Sequence, residues 1–466
     1  MSHRGPATFG QRAAAALSDP ELGLAVGRAV DTVTTRRNAV FAGVDLEAMR
    51  RAGEAVRTHT VARLDEYLAR FAERAEDNGV QVHFAATGAE AVQQVCRILA
   101  DRSVRSVVKG KSMISEEIGL NRALESVGLE VVETDLGEYI VQLAGEPPAH
   151  IIMPAMHKTR RDVADLLSAQ TGGPLPDDPT ALTAHVRRTL RDRFLQAGAG
   201  ITGVNFAVAE TGTLVLVTNE GNGRMCSTLP PVHIALMGME RVVPSFRELS
   251  VLLPLLTGSG TGQQVTTYVS FLNGPRRAGE HDGPEELHVV VVDNGRSAIL
   301  AGEFRSILHC IRCGACQNVC PVFRQTGGHA YGAVYGGPVG AVLTPLLEGF
   351  GQAGDLPHAS TLCGACTDVC PVRIPLHEHL VALRRDVARE RASRLERLAF
   401  RCWAAAWCSD ARFLRFARLS RILQRPLTRG RRIRWAPFPL SRWTRGRDLP
   451  GVADPTFRER WSRRVG

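Results

Sequence analysis

Apolar residues return at three- and four-residue steps through residues 45–77, which predicts one long amphipathic helix that ends at Asn78-Gly79. Beyond residue 79 the pattern changes to short apolar runs that alternate with helical stretches. The runs are residues 80–84, 104–108, 129–132 and 150–153, and the helical stretches are residues 88–101, 115–127 and 158–168. This alternation predicts an α/β fold, in which crossover units build a mainly parallel sheet with helices on its faces.

Later apolar runs extend the same domain before the composition changes. These runs are residues 201–209, 213–217, 233–237, 265–271 and 287–292. Asn294-Gly295 then marks a turn, and a cysteine-rich module follows it. We divide the chain into an N-terminal helical segment (1–79), an α/β domain (80–302), a helical cysteine module (303–383) and a basic C-terminal domain (384–466). Within the cysteine module, Pro345 is expected to open a short helix through Phe350.

Seven of the eleven cysteines lie in two arrays, Cys310-x2-Cys313-x2-Cys316-x3-Cys320-Pro321 and Cys363-x2-Cys366-x3-Cys370-Pro371. This is the ligand spacing of bacterial-type 4Fe-4S clusters, in which the last cysteine of each array ligates the other cluster. The spacing predicts a first cluster on Cys310, Cys313, Cys316 and Cys370 and a second cluster on Cys320, Cys363 and Cys366. We therefore expect an α-helical two-cluster ferredoxin module that transfers electrons.

The second predicted cluster is one thiolate short. Its missing ligand falls at Ser360, three residues before Cys363, where a ferredoxin carries cysteine. A serine oxygen, the nearby His358, a solvent ligand, a distant cysteine such as Cys402 or Cys408, or a three-iron cluster could each account for this position. The sequence leaves these alternatives open.

Zinc is the competing interpretation of the arrays, because CxxC pairs also build four-cysteine zinc sites. Zinc takes four ligands at a time, whereas seven cysteines with two Cys-Pro endings suit two interlocked clusters better. Disulfides are not expected, since no apolar stretch of a signal peptide precedes Asp19. No run approaches the 18 apolar residues of a membrane span, which indicates a soluble or peripheral protein.

The formal charge of +10 is a property of the C-terminal segment. From Arg384 onward there are 23 arginines against 7 acidic residues, whereas the first 383 residues carry 34 basic and 40 acidic residues. All five tryptophans also lie there: Trp403, Trp407, Trp435, Trp443 and Trp461. One interpretation is an inner stripe of a packed helical subdomain, formed by Leu398, Trp403, Trp407, Phe413 and Phe416. The other is a docking surface for a protein or an anionic membrane; nucleic acid is not the expected partner.

Three segments of the α/β domain are candidate ligand sites. Lys109 and Lys111 follow an apolar run, at the sheet edge where α/β proteins bind ligands, and could hold a carboxylate or phosphate. The glycine-rich segment 257–264 could approach an anion, although a plain loop is the simpler interpretation. Glu210 and Arg224, in glycine-rich turns, could act as an acid/base group and a carboxylate clamp.

No flavin or nicotinamide fingerprint is present in the sequence. Two-electron oxidation of a substrate would therefore need another protein or cofactor. The sequence assigns no catalytic residue.

Five segments together resemble those of a known family, lactate utilisation protein B. They are Val108-Lys109-Gly110-Lys111-Ser112-Met113, Glu133-Thr134-Asp135-Leu136-Gly137-Glu138-Tyr139, Pro154-Ala155-Met156-His157-Lys158, Ala209-Glu210-Thr211-Gly212-Thr213 and Gly327-Gly328-His329-Ala330-Tyr331-Gly332. The resemblance runs in the same order from about residue 25 to beyond residue 440. The iron-sulfur subunit of glycolate oxidase shares the cysteine module alone.

The resemblance implies a LUD-type α/β domain related to the sugar-phosphate isomerase and CoA-transferase fold, then a ferredoxin-type module and an arginine-rich C-terminal domain. It also implies an electron-transfer component of a cytoplasmic three-protein system that oxidises L-lactate to pyruvate. The implied partners are a cysteine-rich subunit, a second LUD-type subunit and an electron acceptor, with the basic tail able to touch the inner membrane face. The alternative is that the α/β domain itself binds and oxidises a small 2-hydroxy acid, lactate or glycolate, with the clusters as electron sink.

Overall fold

The structure is a computed structural model that describes residues 7–428, 432–437, 441–444 and 446–465. The chain divides into two compact units, with the boundary between Asp386 and Val387. Among the described residues, no helix is both long enough and apolar enough to cross a lipid bilayer.

Four helices form the N-terminal part of the first unit: α1 (Phe9–Leu17), α2 (Pro20–Val40), α3 (Leu46–Ala62) and α4 (Leu64–Asp77). The prediction of a single helix over residues 45–77 is wrong, because the backbone leaves helical geometry at Arg63 (φ −129°, ψ 39°). The Thr60 hydroxyl donates to Val56 O, 2.7 Å away, and such bonds back to the preceding turn bend helices. The break lets His59 Nε2 and the Tyr67 hydroxyl meet at 2.8 Å.

A six-stranded parallel sheet is the centre of the first unit, in the order β1-β10-β7-β4-β2-β3. Its strands are β1 (Gln81–Ala85), β2 (Ser106–Lys109), β3 (Glu130–Glu133), β4 (Ala199–Gly203), β7 (Val232–Gly238) and β10 (Glu286–Val292). The central strands β7 and β10 are buried along nearly their whole length, which explains why they read as continuous apolar runs. The predicted α/β fold with a mainly parallel sheet is confirmed.

A second, four-stranded sheet was not predicted. It has the order β8-β5-β6-β9 and consists of β5 (Phe206–Val208), β6 (Thr213–Thr218), β8 (Val242–Val243) and β9 (Tyr268–Leu272). The apolar run 201–209 therefore contributes to two sheets, because the chain leaves β4 after Gly203 and enters β5 at Phe206. The run 150–153 forms no strand; its backbone is held by His150 Nδ1, which accepts from the N–H groups of Ile152 (2.9 Å) and Met153 (3.1 Å).

Helices α5 to α12 flank the two sheets. They are α5 (Gly88–Asp101), α6 (Met113–Glu117), α7 (Leu120–Ser126), α8 (Leu136–Leu143), α9 (Arg160–Thr171), α10 (Pro179–Gln196), α11 (Asn222–Thr228) and α12 (Phe246–Gly260). The helix predicted over 88–101 is present with the same bounds. The one predicted over 115–127 is split at Gly119, whose left-handed backbone (φ 67°) separates α6 from α7.

The first half of the glycine-rich segment 257–264 is the end of α12, and residues 261–264 follow it as a turn. The segment lines a cavity through Thr257, Gly260, Thr261 and Gln263. Its glycines serve close packing. A Cβ at Gly258 would lie 2.5 Å from the ring of Phe41, and one at Gly260 would lie 3.1 Å from Cys313 O. The segment is therefore fixed between the N-terminal helices and the first cysteine array.

The cysteine module is helical, with α13 (Arg296–Ala301), α14 (Ala315–Asn318), α15 (Pro321–Thr326), α16 (Gly337–Glu348), α17 (Phe350–Ala353), α18 (Ala365–Val369) and α19 (Leu376–Arg391). Pro345 does not open a helix. It lies inside α16, and Pro338 occupies the first turn, where proline loses no hydrogen bond. One hydrophobic core joins this module to the N-terminal helices and the small sheet, through residues such as Val26, Phe206 and Phe323.

The second unit contains α20 (Arg394–Trp407), α21 (Asp410–Leu423), α22 (Ser441–Thr444), α23 (Phe457–Val465) and a short antiparallel pair, β11 (Arg432–Ile433) with β12 (Leu449–Pro450). The proposed inner stripe is wrong for Leu398, Trp403, Trp407 and Phe416, which are between 44% and 58% exposed. Trp403 and Trp407 instead contact each other, with ring centroids 5.9 Å apart, on the surface of α20. Of the 23 arginines counted in the basic segment, Arg429, Arg431 and Arg445 lie outside the described residues.

Candidate functional site

The two cysteine arrays have the same backbone conformation, fifty residues apart. Arg312 and Leu362 precede equivalent cysteines and have φ angles of 59° and 56°. Gly314 and Gly364 follow those cysteines, with φ angles of 73° and 85°. Left-handed residues on both sides of a cysteine curl each loop back on itself, and a short helix, α14 or α18, then follows.

The conformational match places Ser360 where the first array has Cys310. Arg312 N–H donates to Cys310 Sγ at 3.4 Å, and Leu362 N–H donates to Ser360 Oγ at 3.1 Å. One backbone hydrogen bond thus recurs in both arrays, with a serine oxygen in place of a thiol sulfur.

Four cysteines surround one small cavity: Cys310, Cys313, Cys316 and Cys370. Burial and the neighbouring thiols of Cys310 and Cys313 raise the pKa of the Cys316 thiol well above its ordinary value. Burial also raises the pKa of Cys370, to about 11. A raised pKa disfavours the thiolate forms of Cys316 and Cys370, and a bound metal cluster supplies the positive charge that stabilises thiolates.

The second group consists of Cys320, Cys363 and Cys366. Burial and the nearby Cys320 thiol raise the pKa of Cys366 to about 11. Cys363 is exposed, and a hydrogen bond from the backbone of Ala365 lowers the pKa of its thiol. The two groups contain the cysteines that the interlocked spacing predicts for each cluster, and this donor set fits two iron-sulfur clusters.

Tyr331 stands between the two groups. Its side chain is fully buried and its hydroxyl is close to the Cys320 thiol. The thiols of Cys320, Cys316 and Cys366 all raise the pKa of this phenol, in addition to burial, which is the largest cause. Apart from the glycines around Tyr331, no pattern in the sequence indicated this placement.

Arginines from α3 hold the arrays in position. Arg50 donates to Cys370 O at 2.9 Å and to Thr367 O at 3.1 Å. Arg57 is buried and donates to Leu308 O at 2.9 Å and to His309 O at 3.2 Å, just before the first array. The N-terminal helices thus fix the cysteine module through its backbone carbonyls.

The remaining four cysteines are not part of the two arrays. Cys96 and Cys226 are on α5 and α11 of the α/β part, and Cys402 and Cys408 are exposed on the second unit.

A cavity of about 490 Å³ opens at the carboxyl ends of the parallel strands. Gly110 and Lys111 after β2, Thr202 in β4 and Glu240 after β7 line it, as expected for ligand sites of α/β sheets. The array residues Ile311 and Arg312 form part of its wall, and the same two residues line the cavity of the first cysteine group. The two cavities therefore share these lining residues.

The paired lysines of the sequence have different environments. Lys109 is buried and forms ion pairs with Glu133 (2.7 Å) and Glu116 (3.3 Å), so it serves the core. Lys111 lines the cavity, and its Nζ is shielded from water. Burial lowers the pKa of Lys111, whereas burial raises the pKa of the neighbouring Glu138 to about 8.

Glu210 and Arg224 do not belong to the cavity wall, and both are exposed. Sequence reasoning instead missed Arg312 and Asn222. Arg312 lies inside a cysteine array, and Asn222 lies inside the segment Asn219-Glu220-Gly221-Asn222-Gly223-Arg224. Both motifs were recognised in the sequence, but these two residues were not identified as cavity residues.

A polar cluster ties the α/β part to the cysteine module. His157 Nε2 bonds to Glu146 Oε2 at 2.6 Å, and Lys158 pairs with the other oxygen of Glu146. His329 packs its ring against His157, with centroids 4.5 Å apart, and bonds to Pro147 O at 2.7 Å. His157 Nδ1 is buried without a hydrogen-bond partner in the described part of the molecule, whereas the contacts of His329 join the segment between α8 and α9 to the cysteine module. We interpret the cluster as structural because of these links.

Comparison with known proteins adds two domain assignments. The LUD domain model matches residues 68–292, and the 4Fe-4S dicluster domain model matches residues 306–374. The first match covers the parallel sheet, and the second covers all seven array cysteines. The chain thus carries an iron-sulfur domain of the dicluster type.

Similar proteins extend over almost the whole chain. Lactate utilization protein B of Shouchella clausii is 46% identical over 97% of this chain and 96% of its own. Lactate utilization protein B of Bacillus subtilis is 44% identical over 98% of this chain and 96% of its own. Since this identity runs through both matched domains and nearly from end to end, the chain belongs to the lactate utilization protein B family.

Proposed function

We propose that this protein is the iron-sulfur electron-transfer component of a system that oxidises L-lactate to pyruvate. The observation that carries the proposal is the division of seven cysteines into two groups across two arrays of matching conformation. The name of its relatives supports the pathway, and the dicluster match supports the cofactor type.

The proposed ligands of the first 4Fe-4S cluster are Cys310, Cys313, Cys316 and Cys370. Those of the second are Cys320, Cys363 and Cys366, with Ser360 Oγ at the fourth position. The shared hydrogen bond of Ser360 and Cys310 favours this assignment over a ligand from His358. When bound, such clusters accept and release single electrons.

The surroundings of the groups suggest a direction for electron flow. The first group adjoins the large cavity, whereas the second reaches the surface at Cys363. We infer that electrons enter near the cavity and leave near Cys363. The proposed partners are a cysteine-rich subunit and a second LUD-type subunit of the lactate system, together with an electron acceptor.

The second unit has a surface suited to an anionic, partly apolar partner. Leu395 is 80% exposed, Phe400 64% and Trp403 58%, on a helix that also carries Arg394 and Arg401. We propose that α20 rests on the anionic inner membrane face. Sedimentation with phosphatidylglycerol vesicles tests this. Binding should fall with salt and in Trp403→Ser/Trp407→Ser, and equal binding to phosphatidylcholine would contradict an electrostatic contact.

The experiment for electron transfer is anaerobic purification, followed by iron, sulfide and zinc assays and EPR before and after dithionite. Roughly eight iron atoms per chain and a reducible 4Fe-4S signal are expected. Roughly seven iron atoms, with a three-iron signal before reduction, would mean that the Ser360 corner loses iron. Zinc without sulfide would contradict the proposal.

A further inference from the structure

The cavity at the carboxyl edge of the sheet contains polar groups that nothing in the protein satisfies. Within the described part of the chain, Lys111 Nζ, Arg312 Nε and Nη1, and Asn222 Oδ1 are shielded from solvent without a hydrogen-bond partner. All three residues line the cavity. Native proteins leave few buried polar groups unpaired, so several in one cavity indicate a ligand.

The identity of these groups limits the ligand. Lys111 and Arg312 offer cationic donors, which pair with a carboxylate. The amide oxygen of Asn222 is an acceptor and requires a hydroxyl or amine donor. A hydroxy acid presents both complements in one small molecule.

Arg312 is held in place by its other contacts. Its Nη2 donates to Glu240 Oε1 at 3.3 Å, and its guanidinium lies 4.8 Å from the centre of the Tyr335 ring. Two nitrogens stay free, and the side chain is only 7% exposed. The group is therefore positioned before a ligand arrives, which lowers the entropic cost of binding.

The neighbouring cations are already neutralised. Arg296 forms ion pairs with Glu117 and Glu240, both at 2.8 Å, and Arg241 faces Glu240 at 3.8 Å. Arg36 also lines the cavity but is exposed to solvent. The buried, unpaired donors of Lys111 and Arg312 are thus the ones that gain most from a ligand.

We propose that this cavity binds a 2-hydroxy acid, with the carboxylate on the donors of Lys111 and Arg312 and the hydroxyl on Asn222. The proposal rests on the proposed function, to which it adds that the substrate class binds to this subunit, in a cavity that shares Ile311 and Arg312 with the first cysteine group. It includes no chemical step, because oxidation would need a two-electron acceptor.

Isothermal titration of the anaerobically purified, full-length protein with L-lactate tests the proposal. Lys111→Met keeps the apolar stem and removes the ammonium, and we expect it to weaken binding about tenfold or more, as for a hydrogen bond to a charged group. Lys158→Met is the matched control, since Lys158 pairs with Glu146 and does not line the cavity. It should bind L-lactate like the wild type.

Propionate, which lacks the hydroxyl, tests the role of Asn222. The wild type should prefer L-lactate to propionate, and Asn222→Ala should remove that preference. Failure to bind L-lactate, or equal binding by the wild type and Lys111→Met, would overturn the proposal.

Iron content and EPR spectra of the same samples separate this proposal from the previous one. Intact, reducible clusters without L-lactate binding would refute the cavity site alone. A protein without iron would refute the electron-transfer proposal, whatever it binds.

Discussion

The two cysteine arrays share a backbone conformation but differ in their ligands and in their access to solvent. The first has four thiols around a small cavity, next to Arg312 and the large cavity of the α/β part. The second has three thiols, a serine in place of the fourth and an exposed cysteine, Cys363. Cluster potential depends on ligands, hydrogen bonds and solvent access, so the two proposed clusters should not be equivalent.

This difference indicates a division of labour. A buried site beside a ligand cavity suits electron uptake, whereas a site at the surface suits delivery to a partner. The shared backbone conformation of the loops lets both arrays surround a cluster. The side chains that differ between them, such as Ser360 in place of a cysteine, make the two proposed clusters different.

The largest expected effect comes from removing the equivalent ligand in each array. Cys310→Ala removes a thiolate from a complete set, and the protein should lose roughly four iron atoms and the EPR signal of the first cluster. In the Ser360→Ala variant the protein should lose roughly one iron atom, and the second array should then show a three-iron EPR signal. Equal losses in the two variants would mean that the arrays are equivalent after all.

Ser360→Cys should make the second array resemble the first. A thiolate is a softer donor than serine oxygen and holds iron more strongly, so brief exposure to air should no longer produce a three-iron EPR signal. Iron assays and EPR before and after exposure measure this. A signal that persists in Ser360→Cys would show that the labile iron lies elsewhere.

Tyr331→Phe should act on the second cluster more than on the first. The buried hydroxyl lies near Cys320 and has no hydrogen-bond partner among the residues that the structure describes, so it is free to donate to this sulfur when Cys320 is a thiolate cluster ligand. A hydrogen bond to a thiolate favours the more negative, reduced cluster. Loss of one hydrogen bond worth about 1 kcal/mol should lower the reduction potential of the second cluster by roughly 40 mV. An EPR-monitored redox titration measures this shift. A larger shift of the first cluster would contradict the placement of this hydroxyl.

L-Lactate should lower the potential of the first cluster and leave the second unchanged. An anion on Arg312 disfavours the arrival of an electron nearby, and by linkage the reduced protein binds L-lactate more weakly. A tenfold difference in affinity corresponds to a shift of about 59 mV for one electron. The same redox titration with and without L-lactate measures it, and Lys111→Met should reduce the shift.

The pH dependence of L-lactate binding should be the smallest effect. Burial lowers the pKa of Lys111, against the nearby carboxylates of Asp135, Glu138, Glu220 and Glu133. Lys111 thus loses its proton at a lower pH than an exposed lysine does, while Glu138 ionises near its pKa of about 8. Both changes weaken anion binding as the pH rises. Titrations across this range should show the decline in the wild type and a smaller one in Lys111→Met.

Much of the fold followed from local pattern. The helix over 88–101 has a Thr87 cap and one apolar face, and β7 and β10 are continuous apolar runs, so both were predicted. The break at Arg63 and the helical glycines at the end of α12 were not. The break accompanies a side-chain hydrogen bond, from Thr60 to Val56 O, that periodicity does not reveal. The end of α12 depends on contacts far away in the sequence, such as Gly260 against Cys313.

The cysteine spacing alone determined the two predicted ligand groups and the odd position of Ser360, because the reach of a tight loop limits which thiols can surround one cluster. The sequence could not decide which lysine faces a cavity. Lys109 is the last residue of β2, and Lys111 follows two residues later. Only the folded sheet pairs Lys109 with Glu133 and leaves Lys111 Nζ without a partner in the described residues. Likewise, only the tertiary structure brought Arg312 to the same cavity as Lys111, since these two lining residues are more than a hundred residues apart in the sequence.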